Sequence, residues 1–160
     1  MIYQGRKKYP VNEICLHTAA VPTGWAAKRT VEQARDEIRD WHIDRGWRNI
    51  GYHYIIGSRG GLAHGRPNTQ IGAGVRGHNR GVIHVCMPNK VAHHGIKDFD
   101  TYFTTEQRET LVALIQTLQL ATDITKISGH NEYAAKECPG FYVQQDEELQ
   151  SLLGNLSRYS

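Results

Sequence analysis

The stretch FTTEQRETLVALIQTLQLAT, residues 103–122, reads as a helix at every level. Thr104 followed by Gln107 makes a capping box, and Leu111, Leu114, Ile115 and Leu118 recur at the three-and-four spacing that places them on one face. GVIHVCM, at 81–87, is short, β-branched and led by glycine, which reads as a strand. A chain that alternates these two periods must lay strands and helices side by side, and this one keeps alternating. EICLH, at 13–17, puts Ile14 and Leu16 on one face and Cys15 and His17 on the other. RTVEQARDEIRDWHIDRG is a second helix: Thr30 caps it, Glu32 and Asp36 favour its first turns, and Gly46 stops it. Its apolar stripe is Val31, Ala34, Ile38 and Trp41. GYHYIIG, at 51–57, is a strand between glycines, and SRGG is a hairpin turn into LAHGR. A last amphipathic helix from about Asp146 turns Leu149, Leu152, Leu153 and Leu156 inward. The interleaving predicts an α/β fold with a single central mixed sheet flanked by helices.

A length of 160 residues fits one domain over 1–160, large enough to bury a real core. No apolar run approaches the ~20 residues that span a bilayer, so no stable membrane insertion is expected. MIYQGRKKYP is too polar for a signal peptide, so the chain is expected to be made in a cytoplasm. Three cysteines, at 15, 86 and 138, are an odd number without a disulfide spacing, which favours reduced thiols. The net charge of +3 suits an anionic partner, but RKK at 6–8 is the one basic cluster. It reads as a solvated tail, and no nucleic-acid partner is expected. Nothing in the sequence calls for a second copy, and a monomer is expected.

GHNEYAAKECPGF, residues 129–141, concentrates chemistry on a short non-helical segment. His130 and Cys138 are residue types that zinc favours, and Lys136 lies between them. Cys138 precedes Pro139, which biases it to extended backbone. If 136–138 is extended, Lys136 and Cys138 point the same way, roughly 6–7 Å apart. His17, at a strand end, is a third ligand or a hydrogen-bonded surface imidazole. Three protein ligands with a fourth position open is the catalytic zinc arrangement. Cys15 ranks lower as a fourth ligand, because a small thiol in an apolar strand usually packs the core, and Cys86 reads the same way. His64, His93 and His94 lack a partner at metal spacing and read as exposed loop histidines. HNE at 130–132 matches the H-x-E half of a zinc deaminase signature, but the P-C-x-x-C half is missing.

EICLHTAA, WHIDRGWRNIGYHYII, GHNRGVIHVCM, FTTEQRETLVALI and GHNEYAAKECPGF together resemble the type 2 N-acetylmuramoyl-L-alanine amidases. This group includes the T7-like phage lysozymes and the peptidoglycan recognition proteins. The resemblance covers roughly residues 11–145, in motif order and spacing, and is nearest to the small phage endolysins. It implies the amidase type 2 fold, a zinc ion on His17, His130 and Cys138, and Tyr52 and Lys136 as catalytic partners. It implies bacterial peptidoglycan as substrate, cut at the amide between N-acetylmuramic acid and the L-alanine of the stem peptide. Asn79 and Trp25, in loops bordering the expected cleft, are candidate substrate contacts. One departure is visible: T7-like members carry a histidine in the loop before the GVIHV strand, where this chain has Gly74. The resemblance also implies an endolysin that reaches the cell wall once the membrane is opened.

The same family contains non-catalytic peptidoglycan-binding modules, which often lack the zinc cysteine. Cys138 favours the enzyme. T7-like members can also bind and inhibit their phage RNA polymerase, a partner for which this sequence carries no signal. DEELQSLLGNL, at 146–156, is acidic, which favours a packed helix over a membrane-active one.

Overall fold

The alternation of periods builds a layered α/β structure. The computed structural model describes residues 1–157. A two-stranded antiparallel ribbon of β1 (Tyr3–Gln4) and β2 (Tyr9–Pro10), which the patterning did not predict, leads into β3 (Glu13–His17). Then come α1 (Val31–Asp44), β4 (Tyr54–Ile56), β5 (Leu62–His64) and β6 (Val82–Cys86). A short α2 (Phe99–Tyr102), also unpredicted, precedes α3 (Thr105–Ala121), β7 (Lys126–Gly129) and α4 (Glu147–Ser157). The main sheet runs β5-β4-β6-β3-β7, with β5 antiparallel to β4 and the other pairs parallel. This is the expected mixed sheet.

Strand periodicity divides the sheet into two chemically different faces. Ile14, Leu16, Tyr54, Ile56, Ile83 and Val85 join Leu111, Ile115, Leu118, Leu149 and Leu152 of α3 and α4 in the large core. Ile55 and Cys86 point the other way, against Ile38 of α1. Cys15, His17, Val82 and His84 fall at the alternate positions of β3 and β6, so the strand period itself gathers polar side chains on the α1 side. Thr104 caps α3 with Gln107 in a full capping box, and Thr30 does the same for α1 with Gln33. Among described residues, no helix is long and apolar enough to cross a membrane.

Three expectations need correction or limits, and one strand went unpredicted. α1 buries Ala34, Ile38 and His42, while Trp41 is 39% exposed. The inward row runs at strict i+4 steps, which carries it from Ile38 to His42 and turns Trp41 outward. The strand expected at 51–57 is regular only over Tyr54–Ile56, because Gly51 to His53 turn aside to receive the 64–73 segment. β7 was not predicted; it has one fully apolar inward residue, Ile127, and then Ser128 and Gly129. Leu149 and Leu152 of α4 are buried as expected, but the side chain of Leu156 lies outside the described residues.

Candidate metal centre

Parallel register explains why residues 113 positions apart in sequence meet. Leu16 pairs with Gly129 across β3 and β7, so His17 closes one strand beside His130, the first residue after the other. Open α/β sheets bind ligands at such carboxyl ends of strands. His130 begins a 3-10 turn over His130–Glu132, and the chain then doubles back. Asn131 N–H donates to the Cys138 carbonyl at 2.8 Å, closing the loop. The Cys138 sulfur accepts from the Thr18 backbone N–H at 3.3 Å and lies 4.0 Å from His17 Nδ1. The ligand atoms of His17, His130 and Cys138 all lie within 4.8 Å of one another. Tyr133 is in a turn and residues 134–136 are bends rather than extended backbone, with Lys136 N–H donating to Ala134 O at 2.8 Å. The condition of an extended run at 136–138 is not met, with a bend at 136 and a turn at 138: the loop must reverse to bring Cys138 under Thr18.

The electrostatics suit a cation. Burial, then the neighbouring imidazoles of His84 and His130 and the Lys136 ammonium, hold His17 neutral well below the usual histidine range. Burial and Lys136 also lower His130. Neutral imidazole is the form that ligates a metal. Burial pushes the Cys138 thiol up to about 11, against the opposing effect of the Thr18 N–H and Lys136. Two neutral imidazoles and a thiol are a donor set that zinc takes, the ion itself stabilising the thiolate.

Tyr52 stands beside this cluster, its ring 5.0 Å from that of His17 and 5.3 Å from that of His42. Burial raises its phenol well above the ordinary tyrosine range, so it is a neutral donor. Lys136 is exposed, and its charge reaches His17, His130 and Cys138 together. Glu132, two residues after His130, is occupied elsewhere. It accepts from Gly129 N–H at 2.7 Å and from Gln144, and it pairs with Lys126 at 3.6 Å.

The weaker candidates have other work. Asn79 Oδ1 accepts from the N–H groups of Gly74 and Val75 at 3.1 and 2.9 Å, bracing its own loop. One face of Trp25 is covered by the Arg29 guanidinium at 4.2 Å, and Trp41 lies 5.6 Å away. Cys15 is buried and groups with His17 and His84, apart from Cys138. His93 stacks on Tyr102 with ring centres 4.2 Å apart, so it is not a free loop histidine, and His64 lies on β5.

The sequence reading passed over four buried polar residues. His42 Nδ1 accepts from Gly51 N–H at 2.9 Å and holds the segment that carries Tyr52. His53 Nδ1 accepts from His84 N–H at 3.0 Å, while its Nε2 donates to Gln70 O at 2.8 Å. His84 Nδ1 lies 2.8 Å from His17 Nε2. Asn89 accepts from Thr18 and Val21 and donates to the Val21 and Val91 carbonyls, which fastens the loop after His17. Nine histidines in 160 residues do not by themselves say where chemistry lies; the strand period places His17 and His84 on one face.

A mixed sheet with two imidazoles and a thiol converging at its carboxyl edge defines a candidate metal hydrolase. The sequence matches the family described as N-acetylmuramoyl-L-alanine amidase over residues 7–141, and the chain belongs to that family. It is 34% identical over 117 residues to the endolysin of Escherichia phage T7, covering 73% of this chain and 76% of the relative. The endolysin of Klebsiella phage KP32 is 29% identical over 150 residues, 94% of each chain. Among solved structures, the N-acetylmuramoyl-L-alanine amidase LysC from Clostridium intestinale superposes with a TM-score of 0.72 at 26% identity, covering 91% and 87% of the two chains. The protein is thus an amidase of peptidoglycan.

Proposed function

We propose that the protein is a zinc-dependent endolysin in which His17, His130 and Cys138 hold the metal while Tyr52 and Lys136 act on the amide. The observation that carries this reading is the convergence of those three donors within 4.8 Å, with a neutral phenol and an ammonium beside them. A zinc ion bound there supplies a water acidified towards pKa ~7 and a Lewis acid for the carbonyl. Lys136 places positive charge where the oxyanion of the tetrahedral intermediate develops, a contribution on the order of 2.7–4 kcal/mol for a well-aimed donor. Tyr52 keeps its proton and directs a hydrogen bond to the attacking water or the departing amine. Burial keeps His17 a neutral ligand rather than a competing acid. A cavity of about 640 Å³, lined by Trp47, Arg48, Asn49, Arg66 and Gln70, lies beyond His42 from Tyr52 and offers cations to stem-peptide carboxylates. The phage relatives are named endolysins, which supports action on the bacterial wall after membrane opening.

Metal analysis tests the reading. One zinc per chain is expected, with His17→Ala, His130→Ala and Cys138→Ser each losing metal and activity. Cys138→Ser replaces a thiolate by a hydroxyl that stays protonated near neutral pH, so it should weaken zinc the most. Full zinc and full turnover in Cys138→Ser would overturn the site.

A further inference from the structure

His17 offers one nitrogen to each side. Its Nδ1 faces the Cys138 sulfur at 4.0 Å, and its Nε2 faces His84 Nδ1 at 2.8 Å. Cys15, His17 and His84 group closely enough to suggest a second metal site. The distance decides against it: two nitrogens on one tetrahedral zinc stand about 3.3 Å apart, given Zn–N bonds of about 2.0–2.1 Å. A separation of 2.8 Å is a hydrogen bond. One partner must donate and the other accept.

We propose that His84 is the positioning residue of this site, fixing the tautomer and ring plane of His17, and that Gly74 is the residue that leaves room for it. A metal-ligating histidine donates its second N–H to an acceptor, which sets ring orientation and raises ligand basicity. Here the acceptor is His84 Nδ1, so the His84 proton sits on Nε2. That Nε2 is buried and, among the described residues, has no protein hydrogen-bond partner. An apolar side chain at 84 would avoid this unpaired N–H, so the histidine costs folding stability, and its return is the acceptor it turns towards His17.

The ring of His84 is itself held on three sides. His53 stacks on it with ring centres 5.9 Å apart and planes 12° apart, and accepts the His84 backbone N–H at 3.0 Å. A Cβ added at Gly72 would meet His84 Cδ2 at 2.7 Å and His53 Cε1 at 2.8 Å. A Cβ at Gly74 would collide with His84 Nδ1 and come within 2.8 Å of His17 Nε2. The hydrogen bond lies directly under Gly74. Any side chain there would force the two rings apart.

This inference rests on the zinc reading above, and its test separates the two. Zinc affinity is measured by chelator competition on the wild type, His84→Leu, His84→Asn and Gly74→Ala, with thermal melting as a control on folding. His84→Leu removes the acceptor and should bind zinc about 10–100-fold more weakly. His84→Asn places an amide oxygen near the Nδ1 position and should recover most of that loss. Gly74→Ala keeps His84 but crowds the bond, and should fall between them. Nitrogen NMR of the zinc-loaded wild type supplies a readout without substitution: a proton on His17 Nε2, none on His84 Nδ1 and one on His84 Nε2. Unchanged affinity in His84→Leu, equal losses in the leucine and asparagine variants, or a proton on His84 Nδ1 would each overturn the inference while leaving the zinc site standing. A wild type that binds no zinc would overturn both.

Discussion

On the proposed reading, Lys136 and Tyr52 act on the amide and do not hold the metal. Lys136 is exposed and depresses the imidazoles of His17 and His130 by its charge alone, so removing it should not cost the metal. Lys136→Ala is expected to keep zinc and fold while kcat falls about 10²–10³-fold, the loss of one oxyanion donor. Tyr52→Phe keeps the ring packed against His17 and His42 and loses one neutral hydrogen bond. Its turnover should fall on the order of tenfold, since water can take the place of the hydroxyl. Wild-type kcat in both variants, measured on purified peptidoglycan, would move the chemistry to other residues. His17, Tyr52, His130, Lys136 and Cys138 could be proposed from the sequence because the family resemblance implies them and because the residue types at 130 and 138 suit zinc. His84 could not, because a histidine inside a β-branched strand looks like any satisfied core residue until its neighbour across the sheet is known. Asn89 was hidden for the same reason: three of its four hydrogen bonds reach Thr18 and Val21, which only folding brings close.

The elements show where sequence pattern suffices and where it stops. α3 was legible end to end, because the capping box and the Leu111–Leu118 stripe are local signals. Thr104 does more than cap: its hydroxyl also donates to Ser58 O at 2.6 Å, tying the β4–β5 turn to the helix start. Thr104→Ala should destabilise the protein by about 1–2 kcal/mol, as loss of an N-cap does. Because the Thr104 hydroxyl bonds only to Gln107 and Ser58, neither of them a candidate ligand, zinc affinity should stay unchanged. Urea melts and chelator competition check the two halves, and a loss of zinc affinity would show that the helix start and the site are coupled. β7 was not legible, since Lys126–Gly129 has little β character of its own. It becomes a strand by pairing with β3, and Glu13 binds its Ser128 hydroxyl and Tyr133 at 2.5 and 2.7 Å. That non-local pairing delivers His130, so the candidate ligand could be proposed from the sequence while its carrier could not.

Across the whole molecule, the polar face of the sheet makes stability depend on pH. Burial, aided by Arg45 and Arg66, lowers His42 to about 4, and burial lowers His53 to about 4. Unfolded histidine titrates near ~6.5, so between roughly pH 6.5 and 4 the unfolded chain binds more protons than the folded one. Stability must then fall as pH falls through that window. The metal-free protein should lose unfolding free energy steadily below about pH 6.5 in urea melts, and a flat profile down to about pH 4.5 would show these rings already charged in the fold. The whole molecule is also the scale at which function is read. An amidase frees stem peptides with an L-alanine amine and leaves the glycan strands whole, whereas a glycosidase needs paired catalytic carboxylates, and Glu132 is tied to Gly129, Gln144 and Lys126. Mass spectrometry of digested sacculi, with amine and reducing-end assays alongside, tests the central claim most directly. New alanine N-termini without new reducing ends, abolished by a chelator and restored by zinc, is the predicted result; reducing sugars released without alanine amines would contradict it.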